Sequence, residues 1–492
     1  MTQSLQGERR MLIDGKLVDA RSGATFNNLN PATEEVLGPV ADGGVEDMRQ
    51  AIVAARTAFD TTDWANNRAL RKRCLIQLQE AIESEREDIR AELVAEVGTP
   101  VQMTSHFQLD GPLADALLWP AQMIDDYEWE RSLPPGQLMG IASRRSVVKE
   151  PIGVVGAIVP WNFPFEVSLS KIGQILATGN TMVLKPAPDT PWNATRLGRL
   201  VNGQTDIPQG VFNVVTSSDH LVGEELTLSP LVDMISFTGS TATGKRIMER
   251  GAATLKRVFL ELGGKSAAII LDDADFATAL QMTAFGACMH AGQGCALQTR
   301  VLLPRARYDE GVAILAAAME AMPAGDPTDP NTVCGPLISA VQRQRVLDLI
   351  ETGLAEGARV VVGGGRPEHL DRGFYVEPTL FADVDSAMAI AQREIFGPVL
   401  CALRYDSDDD AVRIANDSDY GLSGGVWSAD EKRATQVALR IRTGCIGING
   451  ALWYGADSPF GGFKMSGIGR QNGREGFEQH LESKAVAWPA VS

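Results

Sequence analysis

The chain has 492 residues, 44% of them apolar, which is enough for large buried cores and too many for an intrinsically disordered chain. Its 45 Lys and Arg against 62 Asp and Glu leave a net charge of −17, a sign that repels phosphate backbones and anionic lipid surfaces. Neither a nucleic acid nor a membrane is therefore expected as a partner, and the 49 Gly and 25 Pro, scattered without a triplet period, punctuate many short strands and turns.

The opening MTQSLQGERRMLIDGKLVDA lacks the apolar run of a signal peptide, and no stretch approaches the roughly 18 apolar residues of a membrane span, so a cytoplasmic protein is expected. Residues 45–97 read as amphipathic helices, with Met48, Ile52, Ala55 and Phe59, then Leu70, Leu75, Leu78, Ile82 and Ile89, on core-facing stripes. From about residue 147, short β-rich runs alternate with helices: GVVGAIVP, a helical KIGQILATG, TMVLKP, GVFNVVT, and MISFTGS leading into TATGKRIMERGA. That order predicts a parallel, doubly wound sheet. RVFLELGGKSAAIIL opens a second such run, followed by a helix through 276–291, TRVLLP, a helix near 307–322, and strands at 375–380 and 399–404. The predicted fold class is α/β with two doubly wound domains, one from residues 1–128 and 149–261 and one from 262–472. The remaining segments, 129–148 and 473–492, read as exposed strands that pair across subunits, with simple edge strands as the alternative.

The six Cys lie far apart without a CxxC pair, so reduced thiols are expected, and the five His show no HxxxH spacing, so no metal site is expected. Cys295 sits in GQGCALQ, where Gly292 and Gly294 keep the backbone open as a nucleophile requires. A lone cysteine is more often an inert buried hydrophobe, the reading that suits Cys288, Cys401 and Cys445. Glu261 ends a short apolar strand between Leu260 and Leu262, where desolvation could raise its pKa toward that of a general base, but a solvated strand-end carboxylate is the default reading. Asn162, in a loop fixed by Pro160 and Pro164, has an amide suited to a developing oxyanion, although turn asparagines ordinarily serve their own backbone.

FTGSTATGK puts Gly239, Ser240 and Gly244 at a strand-to-helix turn whose free N–H groups suit a phosphate; on its own it is a helix cap. Lys245 completes GxxxxGK, but Arg246 stands where the phosphate loop of NTPases needs Ser or Thr. Lys185 ends TMVLKP, at the edge where parallel sheets bind ligands, with a solvated lysine as the default reading.

Taken in order, PWNFP, LKPA, FTGS, LELGGK, GQGCA, EIFGPV and SPFGGFKMSGIGR resemble the NAD(P)-dependent aldehyde dehydrogenase superfamily over nearly the entire chain. The resemblance implies that Cys295 attacks the aldehyde carbonyl, that Asn162 and the cysteine's own N–H hold the oxyanion, and that hydride leaves for nicotinamide. It makes Glu261 the base for the water that hydrolyses the thioester, and Lys171 the lysine that props the catalytic loop. It places Lys185 at the adenosine ribose, Gly239 and Ser240 at the pyrophosphate, Glu394 at the nicotinamide ribose, Phe396 against the nicotinamide region and Trp161 on the adjoining wall. It also implies that 1–128 with 149–261 is the dinucleotide-binding domain, 262–472 the catalytic domain, and 129–148 with 473–492 the bridge of a homodimer or homotetramer.

Two positions depart from the family pattern. Pro188 stands where many NAD-preferring members have Glu, so both NAD and NADP are expected as cofactors, and Gln471 replaces a Glu whose role does not carry over. A CoA-acylating semialdehyde dehydrogenase is the nearest alternative, but such enzymes generally lack the base matching Glu261. A thiol hydrolase using Cys295 would not need the nucleotide motifs, and a noncatalytic protein on the same fold would not need Cys295, Glu261 and Asn162 together. The substrate passage would be lined near Trp161 and Phe165 and by Trp453 and Tyr454, an apolar or aromatic mouth for a small-molecule aldehyde.

Overall fold

The structure, a computed structural model, describes residues 7–490, so the ends of the expected segments 1–128 and 473–492 lie outside the described residues. Period-two alternation of apolar residues builds its centre. In the strand Val154–Ile158, Val154 faces one core while Val155 and Ala157 face another, and in Thr181–Lys185 Val183 opposes Met182 and Leu184 in the same way. Helices cover both faces: Arg68–Ser84, Pro164–Ala177 and Pro191–Gln204 on one side, Val45–Thr61, His220–Leu228 and Thr241–Gly251 on the other. This is a sheet buried on both faces, the setting in which parallel strands are stable.

The sheet runs in the order Gly467–Ile468, Arg257–Glu261, Met234–Thr238, Val154–Ile158, Thr181–Lys185, Phe212–Val214, Met11–Ile13 and Lys16–Val18, parallel through its five inner strands. A second sheet is ordered Arg359–Val362, Thr379–Ala382, Val399–Tyr405, Arg300–Pro304, Ala267–Ile270, Gly424–Trp427 and Gly447–Ile448. Its strands alternate likewise, Ile269, Leu302 and Leu403 toward one core and Ile270, Leu303 and Ala402 toward the other. No helix of the described residues is long and apolar enough to cross a membrane.

Several elements lie differently from their expected places. The strand expected at 375–380 is Thr379–Ala382, because Phe374 and Glu377 donate their N–H groups to the carbonyls of Pro31 and Gly365, and Pro378 has none to donate. The helix expected through 291 ends at Cys288, where the chain turns left-handed. Residues 467–478 return to the first sheet: Ile468 pairs with Leu260, and Phe477 of the helix Gly473–Glu478 packs its ring 5.2 Å from that of Tyr127 and 5.9 Å from that of Trp129.

The segments expected to pair across subunits pair with each other within the chain. Strand Glu130–Leu138 turns at Met139 and Gly140, whose φ of 52° and 81° reverse the chain, into Ile141–Pro151, and the tail strand Leu481–Pro489 lies antiparallel along the latter. This three-stranded sheet bridges outward from the two α/β units and leaves Leu138, Met139 and Ile141 exposed at its tip.

Candidate active site

From Val154–Ile158 the chain first builds outward through Thr181–Lys185 and Phe212–Val214, then crosses back to add Met234–Thr238 and Arg257–Glu261 on the opposite side. The winding direction therefore reverses between Val154–Ile158 and Met234–Thr238, and ligands bind at the carboxyl ends of strands beside such a reversal. Four adjacent strand ends deliver the candidate residues there: Trp161 and Asn162 follow Ile158, Gly239 and Ser240 follow Thr238, Lys185 ends its strand, and Glu261 ends the last.

After Glu261 the chain passes from the first sheet to the second, and two glycines let the remaining candidates close in. A Cβ on Gly263 would lie 2.2 Å from the Glu394 carboxylate, and one on Gly264 would lie 2.6 Å from the Cys295 carbonyl oxygen. The Gly264 N–H donates to Glu394 Oε1 at 2.9 Å. Cys295 itself follows a strained turn in which His290, Ala291 and Gly292 have φ of 49°, 52° and 69°. Its approach is fixed by Gln293, whose amide donates to the carbonyls of His290 (3.1 Å) and Pro336 (3.2 Å) and accepts from the Ile338 N–H (2.9 Å).

Asn162 is tied into the same loop. Its Nδ2 donates to the Gln293 carbonyl at 2.8 Å, which leaves the second amide hydrogen uncommitted, and its own carbonyl accepts from Gln108 Nε2 (2.8 Å) and His290 Nε2 (2.9 Å). A carbonyl only accepts, so the His290 proton is on Nε2, Nδ1 is buried without a partner, and burial holds the imidazole pKa down to about 4.

Glu261 is 2% exposed and neither of its oxygens is hydrogen-bonded, which overturns the solvated reading. Burial pushes its carboxyl well above the usual range, against the attraction of Lys171 and Arg470. Lys171 donates to Ser236 Oγ at 2.9 Å and to Gln471 Oε1 at 3.4 Å and lies 4.7 Å from the centre of the Phe259 ring; burial lowers its pKa to about 7 although Glu261 and Glu166 favour its charge. The Cys295 thiol is pushed up by burial first and then by the carboxyls of Glu261, Glu394 and Glu166. Cys288, Cys401 and Cys445 are buried, as their inert reading expects.

Lys185 is also buried rather than solvated, and its Nζ donates only to the neighbouring Pro186 carbonyl, at 3.3 Å. Burial brings its pKa down to about 8 despite Asp219, Asp42 and Asp189. Ser240 caps the helix Thr241–Gly251, accepting from the Thr243 N–H at 3.2 Å, and is exposed, so that helix end is open to an anion. Trp161 meets Phe396, a residue with φ of 60°, edge-on at 5.4 Å. A lysine with spare donors, an open helix N-terminus and the Glu394 carboxylate fit a ligand that carries both phosphates and ribose hydroxyls.

A model of the aldehyde dehydrogenase family matches residues 17–486. The chain belongs to the aldehyde dehydrogenase family. It is 41% identical over 481 residues to a 3-succinoylsemialdehyde-pyridine dehydrogenase of a Pseudomonas species, covering 97% of this chain and 98% of that one. It is 40% identical over 480 residues to a geranial dehydrogenase of Castellaniella defragrans, with coverage of 97% and 98%. The crystal structure of a Mycobacterium tuberculosis aldehyde dehydrogenase complexed with NAD+ superposes with a TM-score of 0.94 at 43% identity, covering 98% of each chain.

Gln108, His290, Gln293 and Glu166 were not singled out as site residues from the sequence. Gln108 and His290 act through folded proximity to one carbonyl and leave no local mark, whereas Glu166 is a charge within the otherwise apolar PFEVSLSKIGQILA. In this aldehyde dehydrogenase, Gly264→Ala is expected to lower turnover about 100-fold or more, because a backbone carbonyl cannot yield to the new methyl and a shift of about 1 Å at a reacting group has that cost. Thermal unfolding measured alongside should show the variant still folded; an active Gly264→Ala protein would mean that Cys295 does not depend on this contact.

Proposed function

We propose that the protein oxidises an aldehyde to a carboxylic acid with NAD+, using Cys295 as nucleophile, Glu261 as base and Asn162 as oxyanion donor. The reading is supported by the electrostatic action of Glu261 on Cys295 and by the bond from Asn162 Nδ2 to the Gln293 carbonyl two residues before Cys295, at the crossover between the sheets and beside strand ends fit for a dinucleotide. The Cys295 sulfur bonds to the carbonyl carbon as its proton passes to solvent water, while the uncommitted Asn162 amide hydrogen and the Cys295 N–H take the oxyanion. The nicotinamide ring, when bound, accepts the hydride. Glu261 then takes a proton from water, whose oxygen displaces sulfur from the acyl carbon and releases the acid and the thiol.

A carboxyl held above its usual range suits this role, since a base works best with a pKa near the operating pH. Lys171, loosely held by the neutral Gln471 and drawn by Glu261, supports the carboxylate when it forms. A CoA-acylating enzyme would have no use for Glu261. The hydrolase reading requires an imidazole base, but His290 is committed to the Asn162 carbonyl and is too weakly basic at neutral pH. Reduced nicotinamide should accumulate when the protein meets an aldehyde and NAD+, and Cys295→Ala should abolish this while nucleotide binding, followed by titration, stays nearly unchanged. Near-normal turnover by that variant would remove Cys295 from the mechanism.

For the cofactor, Pro188 neither accepts from the ribose hydroxyls nor repels a 2′-phosphate, and Lys185 attracts one. Asp189 follows directly, however, and with Asp42 and Asp219 faces Lys185, so the local charge still opposes the phosphate. We therefore expect both cofactors to be used with NAD preferred, and Pro188→Glu to reduce kcat/KM for NADP more than for NAD. A ratio unmoved by the substitution, or a wild type that ignores NADP, would put the selection elsewhere.

A further inference from the structure

Glu166 lies one helical turn beyond Asn162, on the helix Pro164–Ala177, and the chemistry above does not use it. It is 8% exposed. Its Oε1 accepts from Ser170 Oγ at 3.0 Å and from the Tyr454 hydroxyl, whereas Oε2 accepts from none of the described residues and is not sealed from solvent. Its charge raises the pKa of both Cys295 and Glu261, and the Tyr454 ring it bonds meets Phe460 in the cluster that includes Cys295. The cation that acts on it is Lys171, whose own hydrogen bonds go to Ser236 and Gln471, and Asp115 adds a like charge. An apolar helix face thus carries a buried carboxyl with no ion-pair partner bonded to it and one oxygen free.

Aromatic faces complete the surroundings. Trp453 stacks on Phe460 at 5.6 Å and 6°, Tyr454 meets Phe460 edge-on at 5.3 Å, and the Phe460 cluster includes Cys295 and Ala296. The neighbouring backbone N–H of Ala456 bonds Asp115 at 3.2 Å, which brings a second carboxyl to the same rim. A carboxylate with a free oxygen beside π-faces attracts a compact organic cation and disfavours an anion.

We propose that Glu166 and Tyr454, with the Trp453 and Phe460 rings, form the subsite for the far end of the substrate, and that this subsite selects aldehydes ending in a protonated amine. The inference rests on the aldehyde dehydrogenase reading and names a substrate class within it. If Glu166 served only to anchor Tyr454 and Ser170, an amide would accept both bonds equally well and no substrate would be singled out.

The test compares 3-aminopropanal with butanal, which match in size and differ in charge, using wild type and Glu166→Gln with NAD+. Wild type should favour 3-aminopropanal in kcat/KM by about tenfold or more, the scale of one partly desolvated charge pair. Glu166→Gln should remove most of that preference, read as the ratio of the two kcat/KM values. Equal use of the two aldehydes by wild type, or an equal loss on both in the variant, would overturn the proposal while leaving the dehydrogenase reading intact. Oxidation of other aldehydes but of neither of these would overturn it as well, and no reduced nicotinamide with any aldehyde would mean that the underlying reading had failed. Should Glu166→Gln not fold, as judged by its thermal unfolding, the wild-type ratio alone decides.

Discussion

The site depends on one steric constraint, the passage of the chain from Glu261 in the first sheet to Ala267 in the second through two glycines that have no room for a side chain. With Gly263 against the Glu394 carboxylate and Gly264 against the Cys295 carbonyl, groups from both sheets reach a single point. The strip is held from the far side too: Leu262 donates its N–H to the Ser466 carbonyl at 3.0 Å, and the Ser466 hydroxyl donates to the Gly263 carbonyl at 2.7 Å. This explains why residues 467–478 return to the first sheet. The chain must come back across the seam to close it, and close-packed interiors leave little slack for such an arrangement to loosen.

At that point the protein buries Glu261 and Lys171, half-buries Cys295, and leaves their charges poorly compensated. Glu261 has no hydrogen bond, Lys171 is bonded to a hydroxyl and an amide rather than to a carboxylate, and the Cys295 thiol lies among three carboxyls. Each arrangement disfavours the charged form, so the resting site inclines toward a neutral acid, a neutral thiol and a lysine near its midpoint at neutral pH. The cost in stability is the usual one for buried polar groups without partners. Burial makes the Glu261 carboxylate a stronger base than one of ordinary pKa.

Much of this was legible in the chain, for identifiable reasons. Alternation in TMVLKP and helical spacing in 45–97 reflect burial on defined faces, and seven motifs in order specify a family. Burial at Glu261 and Lys185 was not legible, because a residue at a strand end is buried or solvated according to what another part of the chain lays over it. Nor was the left-handed turn at His290 and Ala291, which alanine does not favour and only surrounding contacts impose. The strand at 379–382 was displaced by hydrogen bonds from Phe374 and Glu377 to remote loops, and the tail's partner within the chain, Ile141–Pro151, was not legible because exposed alternation shows that a strand exists without showing what it pairs with.

The claim that joins fold to chemistry is that Glu261 acts on an acyl group carried by Cys295. Mass spectrometry of Glu261→Gln, quenched after mixing with excess aldehyde and NAD+, tests it most directly. The account predicts a nearly stoichiometric increase equal to the acyl group, mapped to the peptide containing Cys295, with reduced nicotinamide formed in equal amount and little further turnover. An unmodified chain, or an acyl group on Cys288 or Cys445 instead, would contradict it.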